Sequence, residues 1–124
     1  MSQPGSELGQ IRDIMREFVE ERDWDQFHSP KNLATALSVE AAELLEHFQW
    51  LQHGRADELG PDKLVEVRHE MADVLVYLVR LADKLDVDLL AAVKEKMVLN
   101  RAKYPADQVR GDARKYHEYK RPGE

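Results

Sequence analysis

Apolar residues recur at helical spacing along most of the chain. Leu8, Ile11, Ile14, Met15, Phe18 and Val19 mark one face of a first amphipathic helix over about residues 7–22. Asp23, Trp24, Asp25, Gln26, Phe27 and His28 break that period and read as a loop. Ser29 before Pro30 is a strong helix start, a capping hydroxyl followed by a residue whose missing N–H costs nothing in the first turn. The spacing predicts a second helix from there to about Gln52, stopped near Gly54. Pro61 opens a third helix whose apolar positions Leu64, Val67, Met71, Val74, Leu75, Leu78, Leu81 and Leu85 run to the Asp86-Val87-Asp88 break. Asp88 can cap a fourth, which must end before Pro105. No stretch alternates as a strand does. The predicted fold is all-α, a four-helix bundle with a central antiparallel helical hairpin. At 124 residues the chain makes one domain, with about 105–124 as a basic, largely irregular tail.

Two acidic doublets interrupt the apolar pattern: Glu40-x-x-Glu43 in the second helix and Glu70-x-x-Asp73 in the third. Residues three apart share a helix face, so each doublet aims two carboxylates one way. Both pairs, 43 with 70 and 40 with 73, centre on the segment between the two helices. An antiparallel hairpin folded there would set Glu43 level with Glu70 and Glu40 with Asp73. Four unpaired carboxylates brought together out of water cost several kcal/mol each or protonate, unless a cation is supplied. Oxygen-only donors suit Mg²⁺ or Mn²⁺ better than zinc. A redox di-iron centre needs two Glu-x-x-His pairs on different helices, and only Glu66-x-x-His69 fits.

Charge changes the picture at one end. Residues 1–93 hold 9 Lys and Arg against 19 Asp and Glu, whereas residues 94–123 hold 9 against 4. The acidic body argues against nucleic-acid binding. The basic C-terminal part, with Lys94, Lys96, Arg101, Lys103, Arg110, Arg114 and Lys115, suits either a compact polyphosphate or simple solvation and pairing with the body. Lys96, Asn100, Arg101 and Tyr104 form a polar run at the end of the fourth helix. Tyr77, four residues beyond Asp73, extends the acidic face. Trp50 stands near the loop end of the second helix, and with Trp24, Phe27 and His28 it offers either flat sides for a nucleobase or ordinary core packing. Asn32 either contacts a base or sugar or serves the helix start. There is no cysteine, hence no disulfide or thiolate chemistry. No apolar run reaches the ~20 residues that cross a bilayer, and the first residues lack a secretory pattern, so no membrane partner and a cytoplasmic location are the default expectation.

With its flanks, the ExxE and ExxD pair resembles the all-α nucleoside triphosphate pyrophosphatases of the MazG-like superfamily, and within them the dCTP pyrophosphatases. The resemblance rests on residues 21–28, residues 43–50, Asp73 to Leu78, Lys96-Met97, Asn100-Arg101, Tyr104-Pro105, Arg110-Gly111 and Lys115-Tyr116. It implies hydrolysis of a nucleoside triphosphate between the α and β phosphates. Magnesium would be held by Glu40, Glu43, Glu70 and Asp73, with Glu40 or Glu43 orienting or deprotonating the attacking water. Trp24, His28, Asn32, Trp50 and Tyr77 would form the nucleoside side, and Lys96, Asn100, Arg101 and Tyr104 would meet phosphates. Met15 stands where the resemblance implies a His facing the nucleotide. The resemblance further implies a homo-oligomer, a tetramer rather than a dimer. The alternative is a non-catalytic helical module that binds nucleotide or a partner without turnover.

Overall fold

A computed structural model describes residues 5–112. The chain divides into two compact units, Met1–Asp88 and Leu89–Glu124. The first holds α1 (Glu7–Glu21), a 3₁₀ turn (Asp25–Phe27), α2 (Pro30–Glu46), a one-turn α3 (Ala56–Leu59) and the long α4 (Pro61–Lys84). The second holds α5 (Leu89–Lys103) and a one-turn α6 (Ala106–Val109). All regular structure among the described residues is helical, as the sequence pattern predicts.

The helix starts follow their local chemistry. Ser6 Oγ accepts the N–H of Gly9 at 3.0 Å, and Ser29 Oγ accepts that of Asn32 at 3.1 Å. Each satisfies one of the amide groups that a first helical turn leaves unpaired. The ends of α1 and α4 match each other. Asp23 and Asp86 both take the left-handed conformation at φ 53°. The next amide in each case reaches back five residues, Trp24 N–H to Val19 O at 3.0 Å and Val87 N–H to Ala82 O at 2.8 Å. This is the usual glycine stop with Asp in its place, tolerated because a short polar side chain adopts that conformation more readily than a bulky one.

Helix α2 ends at Glu46, short of the predicted Gln52. The amides of His47 and Phe48 bond three residues back, to Leu44 at 3.3 Å and Leu45 at 2.9 Å, so the last turn tightens and stops. Two features draw the chain into this compact turn. The Phe48 ring fills the space beside Gly54, where a Cβ would lie 2.7 Å from the ring and φ is +77°. The Glu58 carboxylate gathers the amides of Gln52 and His53 at 3.1 Å each, and of Arg55 at 3.4 Å.

Helices α2 and α4 pack together and run antiparallel. His28, just before α2, meets Arg80, whereas His47 at its far end approaches Glu66. Helix α1 packs on α4 as well, tied by the Arg16–Asp83 ion pair. The core is small: Val19 from α1, Leu33 from α2, and Val67, Val79 and Ala82 from α4. Leu33 is only 1% exposed. Its replacement by Ala should cost about 3 kcal/mol, lost contacts plus a residual cavity, read as a lowered urea midpoint with unchanged slope. On α4, Met71, Leu75 and Leu78 form an apolar stripe that remains exposed in the single chain. Within the span expected to be a largely irregular tail, the described residues include the one-turn α6; Arg114 and Lys115 fall outside the described residues.

Candidate functional site

The acidic doublets meet where α2 crosses α4. Glu40, Glu43 and Glu70 each bring one carboxylate oxygen to within 4.8 Å of the others. The contact between His47 and Glu66 across the hairpin has the same midpoint as the two predicted pairs, and Glu70 and Glu43 are the carboxylates that act on Glu40. Asp73 lies outside this three-carboxylate group, one turn further along α4.

These carboxylates are in an unfavourable state alone. Hydrogen bonding to Glu70, burial, and the nearness of Glu43 push the Glu40 carboxyl up to about 8, so it holds a proton where an ordinary Glu would be ionised. Two carboxylate oxygens cannot bond each other without a proton or a cation between them. With both ionised, Glu40 Oε2 and Glu70 Oε1 are buried with no donor. Hard, converging, charge-rich oxygens with orphaned lone pairs fit a divalent cation of the Mg²⁺ or Mn²⁺ kind.

Tyr77 belongs to the same face of α4. Burial first, then the charges of Glu40 and Asp73, raise its hydroxyl above the ordinary tyrosine range, so it remains a neutral donor near the acids. By helical rise, Tyr77 lies about 10 Å along the axis from Glu70, and Arg80 about 15 Å. The face therefore runs from an acidic end toward His28.

Around His28 the chain is tightly tied. Trp24 packs edge-on against Phe18 with ring centroids 5.6 Å apart, yet stays 43% exposed. Asn32 donates its side-chain amide to Phe27 O at 3.0 Å, so this side chain fastens the 3₁₀ turn to the start of α2. His28 Nδ1 lies 3.3 Å from Arg80 Nε. Arg80 is the residue that sequence reasoning passed over. Its signal was an arginine in an apolar stretch, three residues after Tyr77 on the acid-bearing face.

Trp50 departs from its predicted place. It follows the end of α2, on the connection rather than the helix, and is 88% exposed. In the second unit, Lys96 and Asn100 share a face of α5 at a four-residue spacing, Arg101 lies in its last turn, and Tyr104 follows immediately after. Asn100 donates to Met97 Sδ at 3.7 Å, and its carbonyl accepts the Tyr104 amide at 2.9 Å.

A helical hairpin that gathers carboxylates from two facing helices gives an acidic, all-α protein the donor set of a divalent-cation site. Residues 35–119 match the MazG-like family, and the chain belongs to that family. It is 46% identical over 117 residues to dCTP pyrophosphatase 1 of Homo sapiens, covering 93% of this chain and 69% of the human protein. With dCTP pyrophosphatase 1 of Rattus norvegicus it shares 44% identity over 115 residues, 91% of this chain and 68% of the rat protein. Among solved structures it is similar to a pyrophosphatase from Archaeoglobus fulgidus, with a TM-score of 0.74 and 42% identity over 85% of this chain and 98% of that one.

Proposed function

We propose that the protein is a Mg²⁺-dependent nucleoside triphosphate pyrophosphohydrolase acting on dCTP or a related, modified cytosine deoxynucleotide. The observation that carries the reading is the convergence of Glu40, Glu43 and Glu70 at the α2–α4 crossing, in a chain this similar to dCTP pyrophosphatase 1. Water and dCTP give dCMP and pyrophosphate, the bond between the α phosphorus and the α–β bridging oxygen or its β counterpart being broken.

Glu40, Glu43, Glu70 and Asp73 would hold the cation, Asp73 from one turn along α4. Bound there, Mg²⁺ neutralises phosphate charge and makes water more acidic. The residues of the chain do the remaining work. Glu40 or Glu43 orients the attacking water and takes its proton. Tyr77, with Trp24, His28, Asn32 and Trp50, forms the nucleoside side. Lys96, Asn100, Arg101 and Tyr104 supply donors and positive charge to phosphate oxygens. The reading places the enzyme in clean-up of the cytoplasmic nucleotide pool, as a four-helix bundle assembled into a homotetramer. The exposed Met71, Leu75 and Leu78 stripe supports assembly, because it is longer than isolated surface residues require.

The test is chromatographic product analysis on the eight common NTPs and dNTPs, with and without Mg²⁺. Monophosphate formed only with the cation, fastest from dCTP, is the expected result. Tight nucleotide binding with no monophosphate would replace the enzyme by a binding module.

A further inference from the structure

The Arg80 guanidinium is buried, with 7% of its side chain exposed, and three of its nitrogens each face an acceptor. Nη2 donates to Asp25 at 2.6 Å, Nη1 to Asp83 at 3.3 Å, and Nε to His28 Nδ1 at 3.3 Å. The two carboxylates are themselves anchored. Lys84 Nζ donates to Asp25 at 2.9 Å, and Arg16 grips Asp83 with two bonds of 2.8 and 2.6 Å. The fork is therefore fixed in one orientation.

An arginine Nε–H can only donate, so His28 Nδ1 must accept. The ring proton is then on Nε2. Protonating Nδ1 would set a donor against a donor and a cation against a buried cation. The charged groups facing the ring agree: burial, Arg80 and Lys84 hold the His28 imidazole below the ordinary histidine range, opposed by Asp25.

We propose that Arg80 is a positioning residue which holds His28 as a neutral imidazole, fixed in orientation, presenting Nε2–H as a donor to an acceptor atom on the nucleoside part of the substrate. This rests on the nucleotide pyrophosphohydrolase reading for the identity of the acceptor, but not for the state of the ring. A neutral donor contacts a carbonyl or ring-nitrogen acceptor of a base without adding a positive charge that would attract phosphate to the wrong end of the site. A salt-bridge network that only joined α1, α4 and the 3₁₀ turn would leave the substrate indifferent to Arg80.

Long-range ¹H–¹⁵N NMR of the full-length protein reads tautomer and titration directly, with His28→Gln identifying the signal. The expected wild-type spectrum is an Nε2–H tautomer that stays neutral below the ordinary histidine midpoint. In Arg80→Ala the midpoint rises. In steady-state assays Arg80→Ala is expected to raise KM for dCTP about five-fold, the value of a well-placed hydrogen bond, with kcat far less affected. The ratio of the two enzymes' KM values should change with pH through the midpoint that NMR gives for the variant; titration of the substrate phosphates cancels in that ratio. An Nδ1–H tautomer, an ordinary wild-type midpoint, or a KM ratio of one at every pH overturns the proposal. If Arg80→Ala does not fold, the wild-type spectrum still decides. If no nucleotide is hydrolysed, the functional reading and the nucleoside contact fall, while the spectrum judges the Arg80–His28 pair separately.

Discussion

Glu40→Gln should reduce dCTP hydrolysis by roughly 10²–10³-fold and, in the same protein, stabilise the cation-free fold at alkaline pH. Both effects come from one source. The Glu40 carboxyl is pushed up to about 8 by Glu70, burial and Glu43. Between the unfolded value of 4.5 and the folded value, the native protein binds a proton that the unfolded chain has released. Stability of the cation-free protein therefore falls as pH rises through that window. Glutamine carries no charge and can donate to Glu70, which removes the penalty. Solvent screens this half-exposed cluster, so the gain should be about 1 kcal/mol, or roughly 5 °C in Tm near pH 8.5, and should vanish near pH 5. Saturating Mg²⁺ should instead favour the wild-type protein, because only the intact cluster binds it tightly. Calorimetry at the two pH values with and without Mg²⁺ checks the signs. Full turnover by Glu40→Gln would remove Glu40 from the cation site and from catalysis.

Asp83→Ala should be the most damaging single change to the fold outside the apolar core. Asp83 has 9% of its side chain exposed and joins Arg16 of α1 to Arg80 of α4. Without it, Arg80 remains buried with Asp25, a largely exposed partner, as its one carboxylate. Breaking a fully buried pair costs about 3–5 kcal/mol, and the half-exposed Arg16 lowers the expectation here to about 2–3 kcal/mol. The pH dependence has a definite sign. The hydrogen bond from Arg16, with the charges of Arg16, Arg80 and Arg12, outweighs burial and holds the Asp83 carboxyl below its unfolded value of 3.8. Its contribution is fully present above that value and is lost as pH falls through the folded one. Urea unfolding should show a wild-type advantage near pH 7 that shrinks in acid as Asp83 protonates. An advantage unchanged from neutral pH into strong acid would assign the loss to packing rather than to charge.

The elements were legible in the sequence wherever local chemistry fixes them. Ser29 before Pro30 and Pro61 give the starts of α2 and α4, since a cap and a missing amide act within one turn. The end of α2 was not legible, because it is set by Phe48 turning back onto Gly54 and by Glu58 collecting amides from five and six residues away. That misplacement leaves Trp50 on the connection instead of the helix. It did not disturb the doublets, of which Glu40, Glu43 and Glu70 converge while Asp73 stands one turn along α4. The doublets themselves were visible because helical spacing alone makes them face one way. Arg80 was not, because its partners Asp25 and His28 come from a turn more than fifty residues earlier in the chain, and no periodic pattern encodes such a contact.

The central claim is hydrolysis between the α and β phosphates, and ³¹P NMR of dCTP incubated with the protein and Mg²⁺ tests it most directly. The expected spectrum shows dCMP and pyrophosphate growing in equal amounts, abolished by a chelator. Growth of dCDP with orthophosphate would place the cleavage at the γ phosphate and contradict the account, and an unchanged dCTP spectrum would contradict dCTP as a substrate.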